Sequence, residues 1–131
     1  MQTNKENLIV KLTFEFAIDI IDYTESLESK KKFNIANQLF RSGTSIGANV
    51  REAQNAESKN DFIHKIKLAA KEADESEYWI SICQRVGNYP KSDSLIEKID
   101  SINKILSKII STSKKSNHKT SPNYQITKSS N

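Results

Sequence analysis

Apolar residues return at three- and four-residue intervals in four blocks of the chain, the period of a helix that buries one side. No block alternates apolar and polar positions as a half-buried strand does. The first helix is expected from about Lys5 to Glu28 and the second from about Phe33 to Glu57. The third opens at Ser58 and runs to about Val86, and the fourth runs from near Ser94 to near Ser111. Ser58 with Asp61, and Ser94 with Glu97, place an acid three residues after a serine, the spacing of an N-terminal cap. "GNYPKSD" (Gly87 to Asp93) is the stop and turn between the last two helices. Short links between long helices make antiparallel neighbours, so the expected fold is all-α, an up-down-up-down four-helix bundle.

The helix faces are unequal. Leu95, Ile99, Ile102, Leu106 and Ile109 make a single stripe on the fourth helix. The third has a main stripe of Phe62, Ile66, Ala69, Ala73 and Ile80, and a second apolar line through Leu68, Trp79, Cys83 and Val86. On the first helix, Leu12, Phe16, Ile20, Tyr23 and Leu27 share one side, while Val10, Phe14, Ile18 and Ile21 share roughly the opposite side. One core needs one stripe from each helix. The second stripe implies another buried surface, and the economical occupant is a second copy of the chain, so Val10, Phe14, Ile18 and Ile21 are expected at a homo-oligomer interface.

The second helix carries "RSGTSIGANVREAQNA" (Arg41 to Ala56), which holds two of the three glycines in the protein. Glycine inside a helix costs about 1 kcal/mol relative to alanine. Ile35, Leu39, Ile46, Val50 and Ala53 keep their phase through Gly43, which argues against a break there. Ala36, Gly43 and Gly47 fall along one edge of that stripe, where small residues let another helix backbone come close. Arg41, Ser45, Asn49 and Glu52 form a polar line on the other side. Asn49 is expected to satisfy a polar contact where helices or subunits pack, and Arg41 and Arg51 suit an acidic partner or a phosphate. A phosphate-binding loop is excluded, because "GTSIG" follows no strand and precedes no Lys-Ser or Lys-Thr.

Composition changes the picture mainly at the C-terminus. Hydrophobic residues are 36% of the 131 positions, and the shortage is concentrated after Ser111. "STSKKSNHKTSPNYQITKSSN" has Tyr124 and Ile126 as its only large apolar residues, too few to offset the cost of ordering. The expected organisation is a bundle over 1–112 and a disordered basic tail over 113–131. The net charge is +4, and the tail's Lys114, Lys115, Lys119 and Lys128, with no acid among them, account for all of it. Lys114, Lys115 and Lys119 are therefore the expected source of any salt-sensitive attraction to nucleic acid. The single cysteine, Cys83, excludes an intramolecular disulfide. With no signal peptide and no membrane-length apolar run, a cytoplasmic location is expected.

Catalytic signals are weak throughout. His64 has no second ligand at metal spacing, and the acids of the third helix alternate with lysines as a solvated face does. No serine or cysteine has a base within a recognisable motif. No enzyme activity, metal, cofactor, small-molecule substrate or membrane contact is expected.

"QLFRSGTSIGANVREAQ" (Gln38 to Gln54) followed by "SKNDFIHKIKLAAKEADESEYW" (Ser58 to Trp79) resembles the bacterial four-helix-bundle proteins encoded by intervening sequences within 23S rRNA genes. It is similar too to the accessory variability determinants of diversity-generating retroelements. The matching positions are Gln38-Leu39, Arg41, Ser45-Ile46, Ala48-Asn49-Val50 and Glu52-Ala53, then Phe62, Ala69, Glu72-Ala73 and Tyr78. The resemblance implies a homopentamer of bundles and a non-enzymatic role associated with RNA, the ribosome or a nucleoprotein partner. For the retroelement branch it implies binding of a reverse transcriptase and of RNA or DNA. A protein-interaction module with no nucleic-acid role is the alternative.

Overall fold

The computed structural model describes residues 4–119, with side chains over 8–115. Four helices follow one another along the chain: α1 (Asn4–Ser29), α2 (Phe33–Gln54), α3 (Lys59–Arg85) and α4 (Asp93–Lys119). Each packs on its sequence neighbour, α4 closes against α1, and the backbones of diagonal pairs do not approach closely, so the four sit at the corners of a square in chain order. This is the all-α up-down-up-down bundle that the periodicity dictates.

The turns are built by identifiable residues. Lys31 has a φ of 65°, the left-handed conformation that closes α1. Its own N–H donates to Glu28 O at 2.8 Å, and Lys32 N–H donates to Leu27 O at 2.8 Å. α2 ends at Gln54, three residues before the expected Glu57, because Ser58 must be extended (φ −151°, ψ 166°) to cap α3. Ser58 Oγ accepts from Asp61 N–H at 3.0 Å, satisfying one of the unpaired donors of the helix start. At α4 the cap is Ser92 rather than Ser94: its Oγ accepts from Leu95 N–H at 3.1 Å, while Gln84 Oε1 accepts from Ser92 N–H at 2.8 Å. Tyr23 OH donates to Pro90 O at 2.6 Å and ties this loop to α1.

The expected boundary at 112/113 falls inside α4, which continues to Lys119. Residues 112–119 contain neither glycine nor proline, and Pro122 is the first residue that cannot continue a helix. Lysines in a closing turn also complement the negative end of the helix dipole. The expected tail beyond Lys119 lies outside the described residues.

The core is a continuous column that includes Phe16, Ile20, Leu39, Ile66, Ile80 and Leu106, with the expected α4 stripe buried throughout. On α1 the expected Phe16, Ile20, Tyr23 and Leu27 are buried, Ile9, Thr13 and Thr24 are buried beside them, and Leu12 is half-buried. Thr13 Oγ1 donates to Ile9 O and Thr24 Oγ1 to Ile20 O, both at 2.8 Å, so neither hydroxyl enters the core unsatisfied. Ser42 and Ser76 are also buried, where α2 meets α3. Ser76 Oγ lies 2.9 Å from Ser42 Oγ and also bonds Glu72 O at 2.9 Å.

Candidate interaction surfaces

α1 and α2 approach closely because α2 offers no side chain at two points where they meet, Gly43 and Gly47. A Cβ built on Gly43 would lie 2.7 Å from Ile20 Cγ1 and 2.9 Å from Ile20 Cγ2. One built on Gly47 would lie 3.1 Å from the backbone oxygen of Thr13. Asn49 is half-buried, and its Nδ2 donates to Ser45 O of the same helix at 3.0 Å.

The outer side of the α1–α2 pair is apolar. Phe14 is 55% exposed, Ile18 47%, Ile21 39%, and Phe40 of α2 47%. At 100° per residue, Phe14, Ile18 and Ile21 fall within about 60° of one another on α1. Val10, grouped with them from the sequence, is instead half-buried against the core. The Arg51 guanidinium lies over the Phe14 ring, 5.9 Å from its centroid.

The adjoining outer side of α2 and α3 is mixed. Arg41 donates to Glu72 Oε1 at 3.2 Å and to Glu75 Oε2, and Trp79 Nε1 donates to the same Glu75 oxygen at 3.0 Å. The Arg41 hydrogen bond, then that of Trp79, holds the Glu75 carboxyl below its ordinary 4.5. Arg41 is thus held by two carboxylates of its own chain, an arrangement the sequence spacing did not reveal. Tyr78, 59% exposed, packs edge-on to Trp79 with ring centroids 5.1 Å apart, and Val86, just past the end of α3, is 37% exposed.

Basic residues gather on the outward side of α4. Lys104, Lys108 and Lys115 are exposed and fall within about 40° of one another around the helix. Lys104 pairs with Asp100 at 3.1 Å. Lys114 is exposed on the helical extension, and Lys119 is the last residue of α4, with its side chain outside the described residues.

No group of three or more His, Cys, Asp or Glu among the described residues could hold a metal ion. Cys83 is buried, and burial pushes its thiol up, away from the reactive thiolate. Among the described residues, no helix is long and apolar enough to cross a membrane.

No curated protein matches the chain. A solved crystal structure does: a protein of unknown function from the S23 ribosomal protein family of Bacteroides thetaiotaomicron VPI-5482. It is 40% identical with a TM-score of 0.77, over 82% of this chain and 98% of that one. The model of the 23S rRNA-intervening sequence proteins matches residues 5–108, a span that takes in all three inter-helix turns, the glycine contact and the Arg41 cluster. The chain belongs to the 23S rRNA-intervening sequence protein family.

Proposed function

We propose that the protein is a non-catalytic, self-associating adaptor that contacts RNA through α4. The observation that carries the reading is the exposed Phe14, Ile18, Ile21 and Phe40 face on a bundle whose core is already filled. A face of this kind is the usual mark of a protein contact, and a second copy is always present to cover it. The aromatic and apolar residues on α3 form a second face on an adjoining side of the square. Two different faces on adjoining sides suit a head-to-tail contact that closes into a ring, and the homopentamer implied by the family resemblance is one such ring. A ring would gather the α4 lysines of several copies, so that weak phosphate contacts act together. A reverse transcriptase or another nucleoprotein partner remains compatible with this arrangement.

Light scattering on the purified protein, with the doubly substituted Phe14→Glu/Ile18→Glu protein alongside, tests the first half. The expected result is a multiple of the protomer mass for the native chain and a monomer of unchanged helical content for the variant. A native monomer overturns it. A salt series on a structured RNA tests the second half, comparing the full chain with one ended at Ser113. Loss of Lys114, Lys115, Lys119 and Lys128 should flatten the salt dependence, since fewer counterions are released. Binding by neither form at low salt would favour a protein-interaction role without nucleic acid.

A further inference from the structure

Two apolar features of the bundle are left uncovered by the described residues. The α1–α4 seam opens into a groove of about 390 Å³ floored by Leu12, Ile102 and Ile105, but its rim carries both signs of charge, Glu15 and Glu97 beside Lys98. Such a rim selects no particular occupant. The α1–α2 face does, because its apolar line on α1 ends in acids. Seven residues, two helical turns, separate Phe14 from Ile21 and Ile21 from Glu28, and the same step leads from Ile18 to Glu25. α3 repeats the plan with the opposite charge: seven residues beyond Tyr78, on the same side of the helix, stands Arg85. Glu25, Glu28 and Arg85 are exposed, and none of their side chains has a partner among the described residues.

The heights of these residues agree as well. Gly43 meets Ile20 and Ser42 meets Ser76, so the four mark one level across α1, α2 and α3. In the up-down-up-down order α1 and α3 run the same way, and α2 runs against both. Counted from that level at the helical rise, Tyr78 stands within about 3 Å of the height of Ile21 and of Phe40, and Arg85 within about 3 Å of the height of Glu28. Neighbouring copies in a ring whose axis follows the helices keep every residue at its own height.

We infer that α3 of a second copy covers the α1–α2 face, running parallel to α1, with Tyr78 seated between Ile21 and Phe40 and Arg85 between Glu25 and Glu28. The contact presupposes the self-association proposed above and specifies which surfaces meet. A helix laid along a pair packs its ridge into the furrow between them, and Tyr78 is the most exposed large apolar side chain among the described residues. A slip of two turns either way carries Arg85 about 10 Å from Glu28, so the charges fix the register. Pairing the α1–α2 face with itself about a two-fold axis would leave Tyr78 and Arg85 uncovered.

Charge reversal at low salt tests the contact, with assembly followed by light scattering over a dilution series. Arg85→Glu alone, and Glu25→Arg/Glu28→Arg alone, should each raise the concentration of half-dissociation by about fivefold or more. The chain carrying all three changes should return to within about twofold of the native value. All three positions are exposed, so the fold is not at stake, and helical content should be unchanged. Reversals without effect, or a combined chain that stays dissociated, overturn the contact. A short bis-maleimide linker gives an independent reading on mixed Glu28→Cys and Arg85→Cys chains, because the native Cys83 is buried. Covalent dimers are expected from the mixture and from neither chain alone. Dimers from Glu28→Cys alone mean a two-fold pairing, which overturns the contact and leaves self-association standing. A native chain that is monomeric at every concentration removes both.

Discussion

Replacing Gly43 with alanine isolates the close approach of α1 and α2. In an exposed helix the change should stabilise by about 1 kcal/mol through propensity alone. Here the new methyl meets Ile20 Cγ1 at 2.7 Å and Cγ2 at 2.9 Å, both well inside van der Waals contact. These are the branch atoms of a β-branched residue whose rotamer is stiff in a helix, and Ile20 is 0% exposed, so it has nowhere to swing. Relief requires the helices to separate, and overpacking of this kind costs about 1–3 kcal/mol. Offset by propensity, Gly43→Ala should destabilise by about 1 kcal/mol. In an Ile20→Ala background the obstructing atoms are gone, and the same change should stabilise by about 1 kcal/mol. Gly87, with nothing within 4 Å of its built Cβ and no positive φ, serves as the control and should accept alanine without loss. Urea melts of the four-member cycle at one fixed protomer concentration give the required values, because the proposed self-association would make stability concentration-dependent. A stabilised Gly43→Ala single variant, or the same effect in both backgrounds, would refute the packing argument.

Two further outcomes follow from local geometry. Lys31 pays the left-handed penalty at the end of α1, so Lys31→Gly should raise stability by about 1 kcal/mol in the same melts, and a loss would show that its side chain contributes more than its backbone costs. Trp79 is the protein's only tryptophan and bonds Glu75, so its emission should report Glu75 protonation. Because the folded carboxyl sits below 4.5, this contact adds to stability above that pH and is lost as pH falls through the lowered value; Arg41→Ala should move the emission midpoint up toward 4.5, and an unmoved midpoint would contradict the shared hydrogen bond.

Much of this fold was legible because each helix carries its own period and each turn its own stop. Gly87 and Pro90 mark the α3–α4 loop, and Ser58 with Asp61 marks the start of α3, as local chemistry requires. The end of α4 was not legible, because a lysine- and serine-rich run without glycine or proline fits a solvated helix as well as an unstructured tail. The core line of α1 was read incompletely for a related reason. Threonine counts as polar in a binary pattern, yet Thr13 and Thr24 hide their hydroxyls in backbone bonds of their own helix. Ser42 and Ser76 escaped in the same way, since each is small enough to sit in a core once its hydroxyl meets the other. Arg41 shows the opposite failure: its partners, Glu72 and Glu75, lie on another helix, and only the packing of α2 on α3 brings them within reach.

The glycines and the groove have one physical origin. α2 turns small residues toward both neighbours, Gly43 and Gly47 toward α1 and Ser42 toward Ser76 of α3, so its two seams close to backbone and hydroxyl distance. The α1–α4 seam has no glycine among the residues lining its groove; Leu12, Ile102 and Ile105 meet there with full-sized side chains. Branched side chains on both walls hold these two helices apart. A bundle drawn in on two seams and propped open on the fourth must leave its apolar floor accessible along α1 and α4. The propensity sacrificed at Gly43 and Gly47 is therefore tied to where the bundle leaves its apolar groove open. By the same reasoning, substituting the groove's wide residues with alanine in pairs, Leu12 with Ile105, should bring α4 inward and shut the groove, at the cost of the cavity that incomplete collapse leaves behind.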